Sequence, residues 1–132
     1  MGELRLPQGA LVDRIELGSG LVDRPFVKIP FSDYPQKEQV KTIADTLAKF
    51  VSMHLGELQE VKDISITDPF NIQYVVQANV DTGRSIHPNY RIFKSDFSGV
   101  KGVKSTIYIF TDASCSYDPK TLEAFVKEVK NQ

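Results

Sequence analysis

Four apolar segments, 58–66, 72–80, 89–97 and 103–110, follow one another with gaps too short to hold a crossover helix. A parallel pair of strands needs a connection of about a dozen residues or more, whereas an antiparallel pair closes through a tight turn. If these segments are strands, their sheet is antiparallel and their order is a meander. The gaps carry turn chemistry: Asp68-Pro69-Phe70-Asn71, Asp81-Thr82-Gly83-Arg84 and Ser98-Gly99-Val100-Lys101-Gly102. The segment 72–80 is the clearest strand. Ile72, Tyr74, Val76, Ala78 and Val80 alternate with Gln73, Gln77 and Asn79, giving one apolar and one mostly wet face. In the last segment Ile107 and Ile109 point one way and Tyr108 and Phe110 the other, so both faces carry apolar bulk and the second face calls for a cover.

Helical periodicity flanks the meander. Val40, Ile43, Leu47, Phe50, Val51 and His54 recur at three- and four-residue steps, with Lys37, Lys41, Asp45 and Lys49 elsewhere, which predicts a helix over 36–55. Ser32 and Asp33 offer capping oxygens, Pro35 suits the first turn and Gly56 supplies a stop. A closing helix over 119–130 is expected from Asp118 as its cap and Leu122, Phe125, Val126 and Val129 as its apolar stripe. It is expected either to cover the second face of the last strand or to dock on a partner. A helix of about twenty residues and a strand of about nine both span roughly 30 Å, so the first helix can lie along the apolar face. The fold class expected is α+β, a four-stranded antiparallel meander packed on a long amphipathic helix, with an N-terminal β-hairpin and a C-terminal helix. This layout is similar to that of cystatin-like folds, although no Gln-Val-Val-x-Gly loop is present and layout alone transfers no function.

The hairpin rests on an internal echo. Leu11-Val12-Asp13-Arg14 and Leu21-Val22-Asp23-Arg24 flank Gly18-Ser19-Gly20, so the two segments are expected to pair. A phosphate-cradling glycine loop would need a helix immediately afterwards, and none is predicted. Pro25 and Pro30 bracket Phe26-Val27-Lys28-Ile29, which places that stretch at a sheet edge, where a missing N–H is harmless.

At 132 residues the chain suits a single domain, with residues 1–31 as its N-terminal hairpin or arm. Sixteen basic and seventeen acidic side chains leave a net charge of -1, so no global field draws it to nucleic acid or an anionic membrane. The only cysteine, Cys115, precludes an intrachain disulfide. Charged residues and Pro7 interrupt the first twenty positions, so neither a signal peptide nor a membrane span is expected there, and a soluble, intracellular or virion-associated protein is.

Chemistry is sparse. Asp112-x-Ser114-x-Ser116, at the end of an apolar strand and before a helix, resembles the metal-ion site of von Willebrand factor A-type domains. That resemblance implies Mg²⁺ held by Asp112, Ser114 and Ser116, since hard oxygen ligands suit that ion. Phe110-Thr111-Asp112-Ala113-Ser114 is also similar to the first-strand motif of ribonuclease H. Both families place further ligands downstream, and here only 16 residues follow Ser116 (132 minus 116). The alternative is a strand-to-helix turn in which these oxygens cap the backbone. Cys115 would need His54 or His87 beside it to act as a nucleophile. Between Arg84 and Lys104 the chain carries Arg84, Arg91, Lys94, Lys101 and Lys104 against Asp96, interleaved with Tyr90, Phe93 and Phe97. Such a set could hold single-stranded nucleic acid by phosphate contact and stacking, or could be ordinary strands with guarded surfaces. The reading preferred is a non-enzymatic structural or interaction subunit of a larger assembly, such as a phage particle or secretion complex, with self-association or a protein partner and no cofactor. A Mg²⁺-dependent binding or hydrolytic domain is the alternative, and nucleic-acid binding comes third.

Overall fold

The computed structural model describes residues 4–19, 25–55, 59–63, 72–78, 89–96, 99–111 and 119–131. In chain order these form a 3₁₀ turn (Val12–Arg14), strands β1 (Glu16–Ser19) and β2 (Pro25–Phe31), helix α1 (Lys37–Leu55), strands β3 (Gln59–Asp63), β4 (Ile72–Ala78), β5 (Asn89–Ser95) and β6 (Ser105–Thr111), and helix α2 (Pro119–Lys130). The strands make one sheet in the order β1-β2-β6-β5-β4-β3, every neighbouring pair antiparallel. The class is α+β, and β3 to β6 are the expected meander. The sheet is wider than that meander because β2 pairs with β6 and brings β1 with it.

The N-terminal hairpin is present with a different register. Glu16 to Ser19 pair with Lys28 to Pro25, so Gly18 and Ser19 lie within a strand. Val12–Arg14, half of the echo, is the 3₁₀ turn, and residues 21–24 lie outside the described residues. Nor is β2 an edge strand. Pro30 is tolerated in the interior because its carbonyl accepts from the Leu11 N–H at 2.8 Å. The hydrogen-bonding side of residue 30 therefore faces the N-terminal segment, beyond the end of β1, and the ladder to β6 loses nothing.

One face of the sheet holds the core. Val27, Ile109, Ile92 and Tyr74 stand side by side across β2, β6, β5 and β4, and all are buried. Val40, Ile43, Leu47 and Val51 of α1 and Leu122, Phe125 and Val129 of α2 close the same cluster, with Phe50 and Phe125 meeting edge to face at 5.5 Å. Each such side chain contributes about 1.5–3 kcal/mol on burial. Helix α1 covers the β3–β4 half and α2 the β1–β2 half.

The N-terminus of α1 is capped differently from expectation. Gln36 N–H donates to Gln39 Oε1 at 2.6 Å, the reach-back half of a capping box, while Ser32 donates to the Gly9 carbonyl and Asp33 accepts from Tyr34 N–H. Gln39 Nε2 also donates to the Gln8 carbonyl, and Thr46 Oγ1 to the Arg5 carbonyl at 2.9 Å. Leu4 and Ile15 belong to the buried cluster. Residues 4–15 are thus tied to both α1 and β2. The cap assigned to Asp118 lies outside the described residues.

Candidate functional site

Alternation decides what the other face of the sheet carries. Because Val27, Ile29, Ile92, Ile107 and Ile109 point to the helices, Phe26, Lys28, Arg91, Phe93, Tyr108 and Phe110 point away from them. The register sets these in two rows. Gly18, Phe26, Phe110 and Arg91 lie side by side across β1, β2, β6 and β5, and Glu16, Lys28, Tyr108 and Phe93 form the next row. Four aromatic rings therefore meet at the centre of the sheet, all half-buried.

The rings stand against one another. Phe110 stacks on Phe26 at 5.0 Å and on Phe93 at 5.2 Å, the latter pair within 2° of parallel. Phe93 stacks on Tyr108 at 5.4 Å, and Phe26 is tilted against Tyr108 at 5.9 Å. Pairs of this kind contribute about 0.5–1.5 kcal/mol beyond area burial. The ring of Phe26 also lies over Gly18, where a Cβ would sit 2.8 Å from Cζ. Glycine at 18 is thus what lets the outermost ring cross onto β1, as aromatic side chains do over strand glycines.

The closing helix is not the cover of this face, since α2 joins α1 on the opposite one. The row through Phe26 runs on to Val75 of β4, which is only 7% exposed, and the row beyond Lys28 and Tyr108 begins with Pro30 and Thr106, both buried, so the open part is confined to the two aromatic rows. Leu17, Tyr34, Met53 and Val100 are also exposed, but they stand singly on separate elements.

The basic residues singled out from Arg84 to Lys104 do not converge. Arg91 borders the aromatic rows, whereas Lys94 is in register with Ile107 on the other side of the sheet and pairs with Asp96 at 3.4 Å. Lys101 and Lys104 are exposed at the β5–β6 turn. There Lys104 lies 3.9 Å from Asp33 and 5.7 Å from the Tyr34 ring centre. Of the interleaved aromatics, Tyr90 is buried in the core and Phe93 is on the open face. Arg84, His87, Phe97, Asp112, Ser114, Cys115 and Ser116 lie outside the described residues. Among the described residues, no three or more His, Cys, Asp or Glu side chains gather as a metal would require. His54 is exposed on α1 and stacks on Phe50 at 5.4 Å.

Sequence reasoning set Tyr108 and Phe110 on a second face that calls for a cover but missed Phe26, Lys28 and Gly18. The signal was the alternation Phe26-Val27-Lys28-Ile29, whose even members share a face, once β2 is placed beside β6.

A concavity of about 550 Å³ lies between the N-terminal segment and α2. Leu4, Leu6, Val12 and Val129 line it, together with Arg5, Asp13 and Lys130, whose ammonium donates to the Ile15 carbonyl at 3.0 Å. No helix among the described residues is long and apolar enough to cross a membrane. Comparison with protein-family models, curated proteins and solved structures finds no match for the chain.

Proposed function

We propose that this protein is a non-enzymatic interaction subunit that docks another polypeptide on the open face of its sheet. The observation that carries this reading is the cluster of Phe26, Phe93, Tyr108 and Phe110 on the face away from both helices. Contiguous apolar surface of this kind is a liability in an isolated domain and an asset at an interface, where aromatic side chains are enriched.

Two features favour a polypeptide over a nucleic acid. Base stacking needs a free ring face, and Phe110 has one ring stacked from β2 and another from β5, so the cluster presents edges outward. The cations bordering it form no tract either, since Lys28 lies 3.8 Å from Glu16.

The test is a photo-cross-linking side chain, p-benzoylphenylalanine, placed at Tyr108 in cells that make the protein, with the same probe at exposed Tyr34 as control. Irradiation is expected to join position 108, and not position 34, to a polypeptide. Equal labelling at both positions, or none at 108, would overturn the reading.

A further inference from the structure

We infer that the 3₁₀ turn Val12–Arg14 is a three-residue insertion in the edge strand of the sheet, and that it stops the sheet from growing at that edge. The edge is a different surface from the docking face, and the inference stands apart from the docking reading. The register shows the insertion. Ala10 is paired with Phe31, and Glu16 with Lys28. Between these pairs five residues, 11–15, face two, Ile29 and Pro30, so three are in excess. With residues 12–14 removed, the remaining partners share one register: 10 with 31, 11 with 30, 15 with 29 and 16 with 28, through to 19 with 25. That register covers all seven residues of β2. The side chains agree with it. Ile15 and Ile29, which it sets opposite one another, are both fully buried in the core, so the excess residues bulge without turning the strand over.

Pro30 fixes where the chain departs. The bridge between Ala10 and Phe31 is made by Leu11 N–H to the Pro30 carbonyl at 2.8 Å and by Ser32 N–H to the Gly9 carbonyl at 3.0 Å. Leu11 and Pro30 therefore stand where an antiparallel pair exchanges two hydrogen bonds. The return bond, from residue 30 to the Leu11 carbonyl, cannot form, because proline has no N–H. The Leu11 carbonyl accepts instead from Arg14 N–H at 2.9 Å, and the Val12 carbonyl from Ile15 N–H at 3.2 Å. Those two bonds are the turn. By alternation Glu16 points its backbone groups to β2, so Ile15 is a residue whose N–H and carbonyl a regular strand would offer outward. Here both are taken, the N–H by Val12 and the carbonyl by the Lys130 ammonium at 3.0 Å. A strand added at an edge needs an unbroken row of such groups. The row is broken at Ile15, which leaves the four residues Glu16–Ser19 as β1.

Deletion of residues 12–14 tests this. The purified variant is expected to keep the far-UV circular dichroism of the unmodified chain, since its register with β2 is complete. It is also expected to pair edge to edge, so that sedimentation velocity gives a weight-average mass about twice that of the unmodified chain, or more, at the same concentration. Adding Leu17→Lys is expected to return the mass to that of the unmodified chain, because Leu17 is 36% exposed on the edge strand and a lysine there discourages strand pairing. A folded deletion variant with the mass of the unmodified chain, or an association that Leu17→Lys leaves intact, would overturn the inference. So would a deletion variant that loses the native circular dichroism, because residues 12–14 would then be no insertion. Pro30→Thr in the undeleted chain tests the origin of the turn separately. It restores an N–H to pair with the Leu11 carbonyl, and faster amide hydrogen exchange is expected at Arg14 and Ile15; unchanged exchange at both would refute the role given to Pro30.

Discussion

Gly18→Ala probes the aromatic rows from beneath. A Cβ there would lie 2.8 Å from Cζ and 2.9 Å from Cε2 of Phe26, closer than non-bonded carbons approach, so the ring must move. It cannot move without leaving its stack on Phe110 at 5.0 Å, a contact of about 0.5–1.5 kcal/mol. Against this, replacing glycine within a strand gains about 0.5–1 kcal/mol. The two effects nearly cancel, and the single substitution is therefore uninformative. A double-mutant cycle with Phe26→Ala separates them, because without the ring only the gain is left. Gly18→Ala is expected to fall between a gain of about 0.5 kcal/mol and a loss of about 1 kcal/mol in the wild type, and to be stabilising by about 0.5–1 kcal/mol beside Phe26→Ala. For 132 residues, 1 kcal/mol corresponds to about 3–4 °C in Tm. Urea or thermal unfolding measures the cycle, at dilute protein so that association does not add to stability. A coupling below about 0.3 kcal/mol would refute the placement of the Phe26 ring over Gly18.

Other perturbations test the remaining links. Phe125→Ala empties a fully buried site against Phe50 and should cost about 3–5 kcal/mol in chemical denaturation. Ile15→Ala should cost about 2–5 kcal/mol, because this residue of the N-terminal segment is fully buried; a loss under about 0.5 kcal/mol would mean that residues 4–15 are a separable arm. Thr46→Val removes the hydroxyl that holds the Arg5 carbonyl and should cost about 1 kcal/mol, with faster amide hydrogen exchange confined to the N-terminal segment. On the docking reading saturating Mg²⁺ leaves Tm unchanged. A stabilisation of about 2.7 kcal/mol at a hundredfold excess over Kd, abolished by Asp112→Ala, would instead move the function to the 112–116 loop.

Elements with a strong period were legible. The six alternating or helical runs from β3 to β6 and in both helices declared themselves through side-chain spacing, and short gaps imposed the meander. What failed to show was anything decided by a neighbour distant in sequence. Pro25 and Pro30 argued for an edge, yet β2 is interior, because the side of Pro30 that lacks a donor faces Leu11 rather than β6. Ser32 and Asp33 have the chemistry of caps, but the chain turns so that Gln36 and Gln39 close the helix end instead. The open face was half visible. Tyr108 and Phe110 announced it from one strand, while Phe26 joined only through a pairing between residues some eighty positions apart, which no local pattern encodes.

On the docking reading, the shape of the sheet explains why its face, rather than its edges, would be the surface offered. Edge strands are where antiparallel sheets recruit further strands, and proteins discourage this by keeping them short. Here the edges are β1, with four residues, and β3, with five, whereas each interior strand has seven. Among the described residues, little unpaired edge backbone is therefore available for lateral growth. The bulk lies at the centre, where β6 sends Ile107 and Ile109 to the helices and Tyr108 and Phe110 to the opposite side. A strand needs two apolar faces only when both are to be covered. Helices α1 and α2 take one, and stacking among Phe26, Phe93, Tyr108 and Phe110 shields only part of the other. On the docking reading, a polypeptide seated on that face would finish the burial without extending the sheet, whereas recruitment at an edge would leave a new edge each time.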